Sequence, residues 1–428
     1  MQRGDVFRYE GYDVHGNTLT CRYSLDGRSF VETVSFPAGG AWERPEVAAA
    51  ARLVYLLAGV SYYKTAAPVR ISLPHDTLSV SEAGLLREFY VEGLGEFGYV
   101  NDLDLRDLHI DVAIVDDEPR PVAPTNDAVL VPFGGGIDSI VTVELMRPLA
   151  DLALFVVGRP NDTYAAIESA AAVTGLPVLR AERALDEQVL RSAELGFLNG
   201  HVPITGVISA IAVLAAALDG RGAVAMSNEW SASAATLHHG DRAINHQWSK
   251  SDAFEAAFRR VAPIEYFSRL RPYSEYWIAD RFARLEQYHG AFRSCNRAFH
   301  TDPARRLDHW CGECDKCCFI DLIHAPFMTR HALEAVFKGN EPLANEALRP
   351  KFEALLDTSG APRPFECIGD VTECRAAGVL ASRRPDRQAT TMLRELVAAV
   401  PEPDLGPLLR PRGPHFIPDR YATDDLLG

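Results

Sequence analysis

The hydrophobic pattern changes character part-way along the chain. Up to about residue 124, apolar and polar residues alternate, and turn signals stand at His15-Gly16-Asn17 and Asp26-Gly27. This alternation predicts a small antiparallel sheet. An amphipathic helix over about residues 45–59 and a strand at residues 68–73 are predicted to follow it.

From Val129 onward the alternation gives way to continuous apolar runs separated by helical segments. Four of these runs predict buried strands, at residues 128–133, 152–158, 176–182 and 222–228. Strands of this kind that alternate with helices form a parallel sheet covered on both faces. The predicted fold class is therefore α/β, with helix dominating after about residue 252.

Composition shifts divide the chain into three predicted parts. Residues 116–127 are acidic and rich in proline, which is typical of a linker. We therefore predict an N-terminal α+β domain over residues 1–124, an α/β domain over 125–290, and a mostly helical region with a cysteine cluster over 291–428. The Pro- and Arg-rich tail of the third part is expected to be extended or partly disordered.

Charge and apolar content narrow the classes of function. The 428 residues carry a formal net charge of −15, which excludes a broad nucleic-acid footprint but not a local basic pocket for an anionic substrate. The longest apolar run, Val202–Gly220, is short, Ala-rich and interrupted by polar residues, so it predicts a buried helix and not a membrane span. The first residues lack the apolar core of a secretory signal, so we expect a cytoplasmic protein.

The segment GGGIDS lies between the first predicted parallel strand and a helix. Backbone N–H groups at a helix N-terminus favour an anion such as phosphate, and Gly134, Gly135 and Gly136 allow phosphate oxygens to approach closely. Ser139 could add a hydroxyl donor, and Asp138 could hold magnesium between phosphates. The segment matches neither the Walker pattern nor G-x-G-x-x-G. The alternative is a tight turn that binds nothing.

This turn resembles the pyrophosphate loop S-G-G-x-D-S of the N-type ATP pyrophosphatases, with Gly134 in place of the serine. The resemblance implies an adenine nucleotide α-hydrolase-like domain that binds ATP and magnesium. Enzymes of that family cleave ATP between the α- and β-phosphates and adenylate a substrate oxygen. The missing serine hydroxyl puts one phosphate contact in doubt.

A cysteine cluster lies in the third part of the chain. Cys311, Cys314 and Cys317 have C-x-x-C-x-x-C spacing, and Cys295 upstream can complete a tetrahedral set of thiolates for structural zinc. The alternative is a group of reduced thiols, one of them catalytic. Cys318 is left over as a small buried residue. Three histidines nearby could replace a cysteine ligand: His300, His309 and His324.

A second resemblance extends over most of the chain, from about Val60 to Gly369. Its phrases are, in order, AGVSYYKTAAP, NGHVPIT, SNEWSAS, NHQWSKSDAFE, RPYSEYWIA, WCGECDKCCF and PFECIG. Together they resemble the ATP-dependent UDP-N-acetylmuramoyl-L-alanyl-L-glutamate epimerases of the MurL type. The resemblance implies that the substrate is UDP-MurNAc-L-Ala-L-Glu. Its terminal L-glutamate would be inverted at the expense of ATP and magnesium during peptidoglycan precursor synthesis in a bacterial cytoplasm.

Adenylation and epimerisation fit together chemically. A free carboxylate disfavours loss of its own α-proton, because a second negative charge would build up beside the first. An acyl-adenylate removes the first charge and makes the carbonyl electron-withdrawing. An ordinary side-chain base can then take the α-proton, and reprotonation from the other face inverts the centre.

Three residues are candidates for the chemistry at the α-carbon. Glu229 follows the fourth predicted strand, where open α/β sheets bind ligands, and could be a base or a magnesium ligand. His246 could titrate near neutrality, and Lys250 could pair with a phosphate or a substrate carboxylate. Their structural alternatives are an exposed glutamate at a helix start, a loop-ordering histidine and a solvated lysine.

Several further polar residues are expected to have structural roles. We favour Glu275 as a partner of the helix dipole in the first turn of its helix, and His201 as a local cap near Thr205. Lys64 could bind substrate from the N-terminal part. The tyrosines before it, Tyr62 and Tyr63, are equally consistent with interdomain packing.

The roles of two other cysteines are open, and two other classes of protein are alternative hypotheses. Cys367 and Cys374 could form a thiol acid/base pair, but inert thiols are the favoured interpretation. The pyrophosphate loop with a cysteine cluster also resembles 7-cyano-7-deazaguanine synthase, an AMP-forming ligase that is usually far shorter. A non-catalytic nucleotide-binding sensor is the third hypothesis. The sequence leaves the oligomeric state undetermined.

Overall fold

A computed structural model of the chain describes residues 3–37, 39–119 and 126–422. The described residues form twelve strands: β1 (Val6–His15), β2 (Thr18–Leu25), β3 (Arg28–Ser35), β4 (Arg70–Ser79), β5 (His109–Val115), β6 (Ala128–Pro132), β7 (Asp151–Gly158), β8 (Val178–Ala184), β9 (Ala223–Met226), β10 (Leu237–His239), β11 (Arg242–Ile244) and β12 (Glu265–Ser268). Ten of these strands make one mixed sheet, and β10 and β11 form a separate hairpin.

The large sheet has the order β12-β9-β6-β7-β8-β3-β2-β1-β4-β5. Its first five strands are mutually parallel, as predicted for the α/β part. Strands β1, β2 and β3 are antiparallel, also as predicted, but they do not form a separate sheet, because β3 pairs with β8 through Thr33 and Ala184. One sheet thus crosses the predicted boundary at residue 124, and the three-part division stays a prediction.

Helices cover the sheet and fill the C-terminal part. The described α-helices are α1 (Pro45–Ala58), α2 (Val60–Tyr63), α3 (Val80–Val91), α4 (Gly95–Val100), α5 (Ile137–Met146), α6 (Ala165–Thr174), α7 (Glu187–Leu190), α8 (Ile204–Asp219), α9 (Asp252–Val261), α10 (Glu275–Ala283), α11 (Asp315–His324), α12 (Arg330–Val336), α13 (Arg349–Leu356), α14 (Val371–Ser382), α15 (Thr391–Val397) and α16 (Gly406–Leu409). The predicted helices near residues 45 and 205 are confirmed as α1 and α8.

Helix α8 is the predicted buried helix. Its residues Val207, Ile211 and Leu214 have no exposed surface, and the helix packs against α1 and the sheet. Its interior is rich in alanine, which allows neighbouring elements to approach closely. Among the described residues, no helix combines the length and apolar character needed to cross a membrane.

The C-terminal tail is folded onto the core, so the expectation of an extended or disordered tail is wrong for residues 383–422. Leu393, Leu408 and Tyr421 are fully or almost fully buried, and the Tyr421 ring stacks on Phe267 at a centroid distance of 5.5 Å. These spaced apolar residues anchor a segment whose prolines and arginines suggested disorder. Residues 120–125 of the predicted linker and 423–428 of the tail lie outside the described residues.

A buried ion pair joins the N-terminal strands to the parallel sheet. Glu32 on β3 has no exposed surface, and its Oε1 accepts a hydrogen bond from Arg183 Nε on β8 at 2.7 Å. Tyr62 donates its hydroxyl to Glu32 Oε2 at 2.9 Å, and Arg183 also donates to Ser61 Oγ at 3.0 Å. The network therefore links β3, α2 and β8.

Breaking this network should be costly, because the arginine would be left as an uncompensated buried charge. We expect Glu32→Gln to lower the free energy of unfolding by about 3–5 kcal/mol, measured by urea denaturation. The matched control is Glu168→Gln, which breaks the half-exposed pair between Glu168 and Arg180 on the same strand β8. That change should cost less than about 1 kcal/mol. Equal costs for the two variants would contradict the assignment.

Candidate active site

Three acidic residues follow the carboxyl ends of three adjacent parallel strands. Asp138 lies in the first turn of α5 after β6, Glu229 follows β9, and Glu275 is the first residue of α10 after β12. Parallel strands point their carboxyl ends to the same edge of a sheet, where open α/β folds bind ligands. Side chains that are up to 137 positions apart in the sequence, from Asp138 to Glu275, therefore meet at this edge.

The glycine turn before α5 has the geometry of an anion-binding loop. Gly135 has φ +74°, and a Cβ there would lie 2.7 Å from the Ala166 carbonyl oxygen, so both the backbone conformation and the space require glycine. Gly136 is the N-cap of α5 and offers no side chain to its N–H groups. The Ser139 hydroxyl donates to the Gly136 carbonyl at 3.0 Å. The predicted contact of Ser139 with phosphate would therefore require this bond to break.

The three carboxylates form a compact acidic cluster. One oxygen from each of Asp138, Glu229 and Glu275 lies within 4.8 Å of the others. Burial, and next the charge of Glu229, raises the pKa of Asp138 to about 7, whereas Lys316 and Lys250 oppose the shift. Burial raises the pKa of Glu275 well above its usual value, with Asp138 and Glu229 adding to the effect.

This acidic cluster fits a divalent magnesium ion. Asp138 Oδ1 and Glu275 Oε2 are buried and have no hydrogen-bond partner among the described residues. Buried oxygens without partners are rare, because each loses its hydration without compensation. An all-oxygen donor set of carboxylates is what magnesium prefers, and the positive charge would relieve the repulsion within the cluster.

A second group of titratable side chains lies beside the acidic cluster. His246 Nδ1 is paired with Glu96, which α4 of the N-terminal part supplies, and the His201 ring lies 4.3 Å from the His246 ring. Burial would lower the pKa of His246, but hydrogen bonds to Cys367 and Glu96 raise it to about 9. Burial and the charged His246 lower the pKa of His201 to about 4.

Cys367 is at the centre of this second group. Its thiol is in hydrogen-bond contact with His246 and Lys250, and Lys316 donates its ammonium to the Cys367 carbonyl. Burial would raise the pKa of the thiol, but Lys250, His246 and Lys316 together lower it to about 6. Cys374 is different: it is buried in α14, and burial raises the pKa of its thiol to about 12.

The predicted cysteine quartet is assembled. The Sγ atoms of Cys295, Cys311, Cys314 and Cys317 lie within 4.8 Å of one another. This spacing and donor chemistry fit a tetrahedral zinc ion. Cys318 is fully buried outside the quartet, as predicted. The three histidines serve elsewhere: His324 contacts the Ile320 carbonyl, His309 pairs with Asp308, and His300 contacts the backbone of Asp302.

The structure corrects several structural expectations. Glu229 is 1 % exposed and not a solvated glutamate at a helix start. Glu275 does lie in the first turn of α10, but its carboxylate also belongs to the acidic cluster. His201 is no helix cap, because Pro203 holds the N-cap position of α8 without a side-chain hydrogen bond.

Two of the predicted lysines, Lys64 and Lys250, have different surroundings. Lys64 is buried and donates to Asn199 Oδ1 at 2.6 Å, so it orders the loop before α8. Burial lowers the pKa of Lys64. Lys250 donates to Gln247 Oε1 at 3.3 Å. The charges of Cys367, Glu229 and Asp138 outweigh its burial and raise its pKa above the usual value.

Sequence reasoning missed Lys316 and Glu96. Lys316 is 9 % exposed in the first turn of α11, directly between the quartet members Cys314 and Cys317. Its position between two closely spaced cysteines of the quartet was a signal that sequence reasoning could have used. Glu96 had no such signal, because it belongs to the N-terminal part and reaches His246 only through the tertiary fold.

A cavity of about 500 Å³ lies along the same sheet edge. Residues at the ends of β7 and β8 and at the start of α8 line it, among them Tyr164, Leu185, Ile204 and Ile208. Tyr164 is the N-cap residue of α6, and the first turn of that helix, at Ala166 and Ile167, packs against Gly135. The cavity is therefore a neighbour of the glycine turn.

Comparison with known proteins identifies relatives over the whole chain. The MurL N-terminal domain model matches residues 1–274, and the MurL C-terminal domain model matches residues 291–406. A protein of Xanthomonas oryzae pv. oryzae is 38% identical over 426 residues, which cover 95% of this chain and 93% of the relative. A Salinispora tropica protein is 38% identical over 454 residues, with 100% and 96% covered.

A third relative, from a Micromonospora species, is 36% identical over 449 residues, which cover 99% of this chain and 98% of the relative. All three are named UDP-N-acetyl-alpha-D-muramoyl-L-alanyl-L-glutamate epimerase. No solved structure gives a significant match. The mixed α/β fold and its site therefore belong to an enzyme of the isomerase class. More closely, the chain belongs to the MurL family.

Proposed function

We propose that this enzyme is an ATP- and magnesium-dependent epimerase that converts the terminal L-glutamate of UDP-MurNAc-L-Ala-L-Glu to D-glutamate. The reaction would proceed through an acyl-adenylate and release AMP and pyrophosphate. Its place would be peptidoglycan precursor synthesis in the bacterial cytoplasm. The names of three relatives that match over nearly the full chain support the substrate and the epimerisation.

One observation carries the ATP dependence. The acidic cluster with its two unpaired oxygens lies beside a glycine turn that opens a helix N-terminus. The two features together support a phosphate site beside a divalent-cation site, which is the arrangement that magnesium-bound triphosphate requires. This juxtaposition also supports a pyrophosphate-loop domain.

The proposed roles follow from these positions. The backbone N–H groups at the start of α5, with Gly134, Gly135 and Gly136, bind the phosphates that leave as pyrophosphate. Asp138, Glu229 and Glu275 would hold magnesium, which when bound neutralises phosphate charge. Glu229 is thereby proposed as a metal ligand, one of its two predicted roles, and not as the base.

Two lysines supply positive charge near the acidic cluster. Lys250 and Lys316 both act electrostatically on Asp138. They are therefore placed to orient the α-phosphate and the substrate carboxylate while the acyl-adenylate forms. The mainly apolar cavity near Tyr164 has the volume and lining to take the adenosine.

The cysteine quartet is proposed as a structural zinc site. Four thiolates leave zinc no open coordination position, so no catalytic role is assigned to it. Its contribution is to fix the start of α11 and with it Lys316. The predicted histidine alternatives are not needed, because four cysteines already complete the set.

Isotope exchange combined with product analysis tests the proposal. The enzyme is incubated with ATP, magnesium and UDP-MurNAc-L-Ala-L-Glu in deuterated water, and AMP and deuterium at the glutamate α-carbon are measured. We expect both to appear, each dependent on ATP. AMP without α-deuterium would point to an AMP-forming ligase, such as one of the 7-cyano-7-deazaguanine synthase type. ATP binding without AMP or α-deuterium would point to a nucleotide sensor.

A further inference from the structure

Among the cysteines that the structure describes outside the quartet, only Cys367 has surroundings that favour a thiolate. Two cationic side chains, those of Lys250 and His246, contact its sulfur, and a third, Lys316, holds its backbone carbonyl. The residue is half-buried, whereas Cys21, Cys318 and Cys374 are fully buried. Reactive thiolates are found in such electropositive and partly accessible surroundings.

The position of Cys367 connects the two groups of the site. Lys250 and Lys316 each act on both Cys367 and Asp138, so the thiol and the acidic cluster share the same pair of lysines. The two sequence neighbours of Cys367, Glu366 and Ile368, line a cavity of about 230 Å³, and the Ile368 carbonyl accepts a hydrogen bond from Gln247. Because the thiol and the acidic cluster share these two lysines, the α-carbon of a substrate whose activated carboxyl lies at the acidic cluster is assigned to the neighbourhood of this sulfur.

We propose that Cys367 is a catalytic acid/base of the epimerisation, and that its thiolate removes the α-proton of the adenylated L-glutamyl residue. His246, held by Glu96, and Lys250 are positioning residues that keep the sulfur ionised. This inference rests on the proposed function, because only an activated glutamyl residue has an α-proton that a thiolate can take. It replaces the expectation that both Cys367 and Cys374 are inert.

The proton transfer balances within the site. The Cα–H bond breaks, an S–H bond forms on Cys367, and the electron pair of the C–H bond moves into the acyl carbonyl to give an enolate. A solvent-derived proton then adds to the opposite face of the enolate and creates the D-configured centre. Loss of the thiol proton to water restores the thiolate, so the step needs no oxidant or reductant.

Two isotope measurements on the variant Cys367→Ser separate the steps. Exchange of labelled pyrophosphate into ATP reports adenylate formation, and deuterium at the α-carbon reports proton removal. We expect the variant to keep pyrophosphate exchange within about threefold of the unaltered enzyme. α-Deuteration should fall at least about a hundredfold, the usual contribution of a positioned acid or base. The matched control Cys374→Ser should leave both rates unchanged.

Each other outcome has a definite meaning. α-Deuteration by Cys367→Ser at the rate of the unaltered enzyme would overturn the role of the thiol. Loss of pyrophosphate exchange in the folded variant would also overturn it, since Cys367 would then serve adenylation. Failure of the unaltered enzyme to exchange pyrophosphate would instead contradict the proposed function.

Alkylation tests the same inference without catalysis or a folded serine variant. The rate at which iodoacetamide modifies Cys367 should rise with pH with a midpoint of about 6. Mass mapping of the peptide that contains Cys367 measures the modification. The groups that face the sulfur are Lys250 and His246 next to it, Lys316 on α11 and, farther away, Asp138 on α5. Because His246 lowers the thiol pKa, His246→Gln should move the midpoint upward. A midpoint of about 8.5, the value of an unperturbed thiol, in the unaltered enzyme would overturn the inference.

Discussion

Asp138→Asn should abolish AMP formation while the protein stays folded. The substitution removes one of three carboxylate ligands proposed for magnesium and leaves the glycine turn intact. The expected loss is several kcal/mol of transition-state stabilisation, or about a thousandfold in rate. The measurement is AMP release from ATP with UDP-MurNAc-L-Ala-L-Glu present. AMP release at the unaltered rate would show that the phosphate and metal assignment is wrong.

A second readout for Asp138→Asn does not depend on turnover. In the absence of metal, the variant should melt at the same or a higher temperature, because one charge has left a crowded cluster of buried carboxylates. Magnesium that binds only the folded state raises the melting temperature of the unaltered enzyme. This increase should vanish in the variant. Asp280→Asn is a matched control, since that aspartate lies on α10 outside the cluster.

Cys314→Ser should lose zinc and weaken the C-terminal part. A structural zinc site contributes its binding free energy directly to folding, and a hydroxyl is a poor replacement for a thiolate. We expect about one zinc per chain in the unaltered enzyme, less than about half in the variant, and a melting temperature lower by roughly 5–10 °C. Metal analysis after purification without chelator, and calorimetry, check these values.

Cys318→Ala is the control for this experiment, because Cys318 is adjacent to Cys317 in the sequence but lies outside the quartet. It should keep its zinc even if it loses some packing energy. Less than about half a zinc per chain in the unaltered enzyme would contradict the structural site. Zinc that stays fully bound in Cys314→Ser would remove Cys314 from the set of ligands.

Local sequence signals were sufficient to predict features that depend on the residue types within one short segment. The C-x-x-C-x-x-C segment indicated three members of the quartet, and GGGIDS indicated a turn with a free helix N-terminus. Four of the five parallel strands were predicted, because each contains an apolar run. Strand β12 was missed because its four residues, EYFS, begin with a glutamate and end with a serine, which leaves too short an apolar run to separate from a helix. Strand β9 is equally short, but all four of its residues are apolar.

Contacts between distant segments were not accessible to the same reasoning. The preferred interpretations of Glu275 and Cys367 were structural, because neither residue stands in a motif that specifies its partners. Glu275 acquires a role only where β6, β9 and β12 end side by side. The proposed role of Cys367 also depends on the tertiary fold. Helix α11 brings Lys316 to its backbone, and the segment after β11 brings His246 and Lys250 to its sulfur.

The sequence by itself determined the α/β class, the glycine turn, the cysteine cluster and the family, because these depend on periodicity, residue chemistry and short spacing. Only the tertiary structure decided that one sheet runs through the N-terminal and parallel parts. It also decided that three buried carboxylates share a site and that a single cysteine lies among cations. Burial and charge proximity control these properties, and both arise only when segments distant in the sequence pack together.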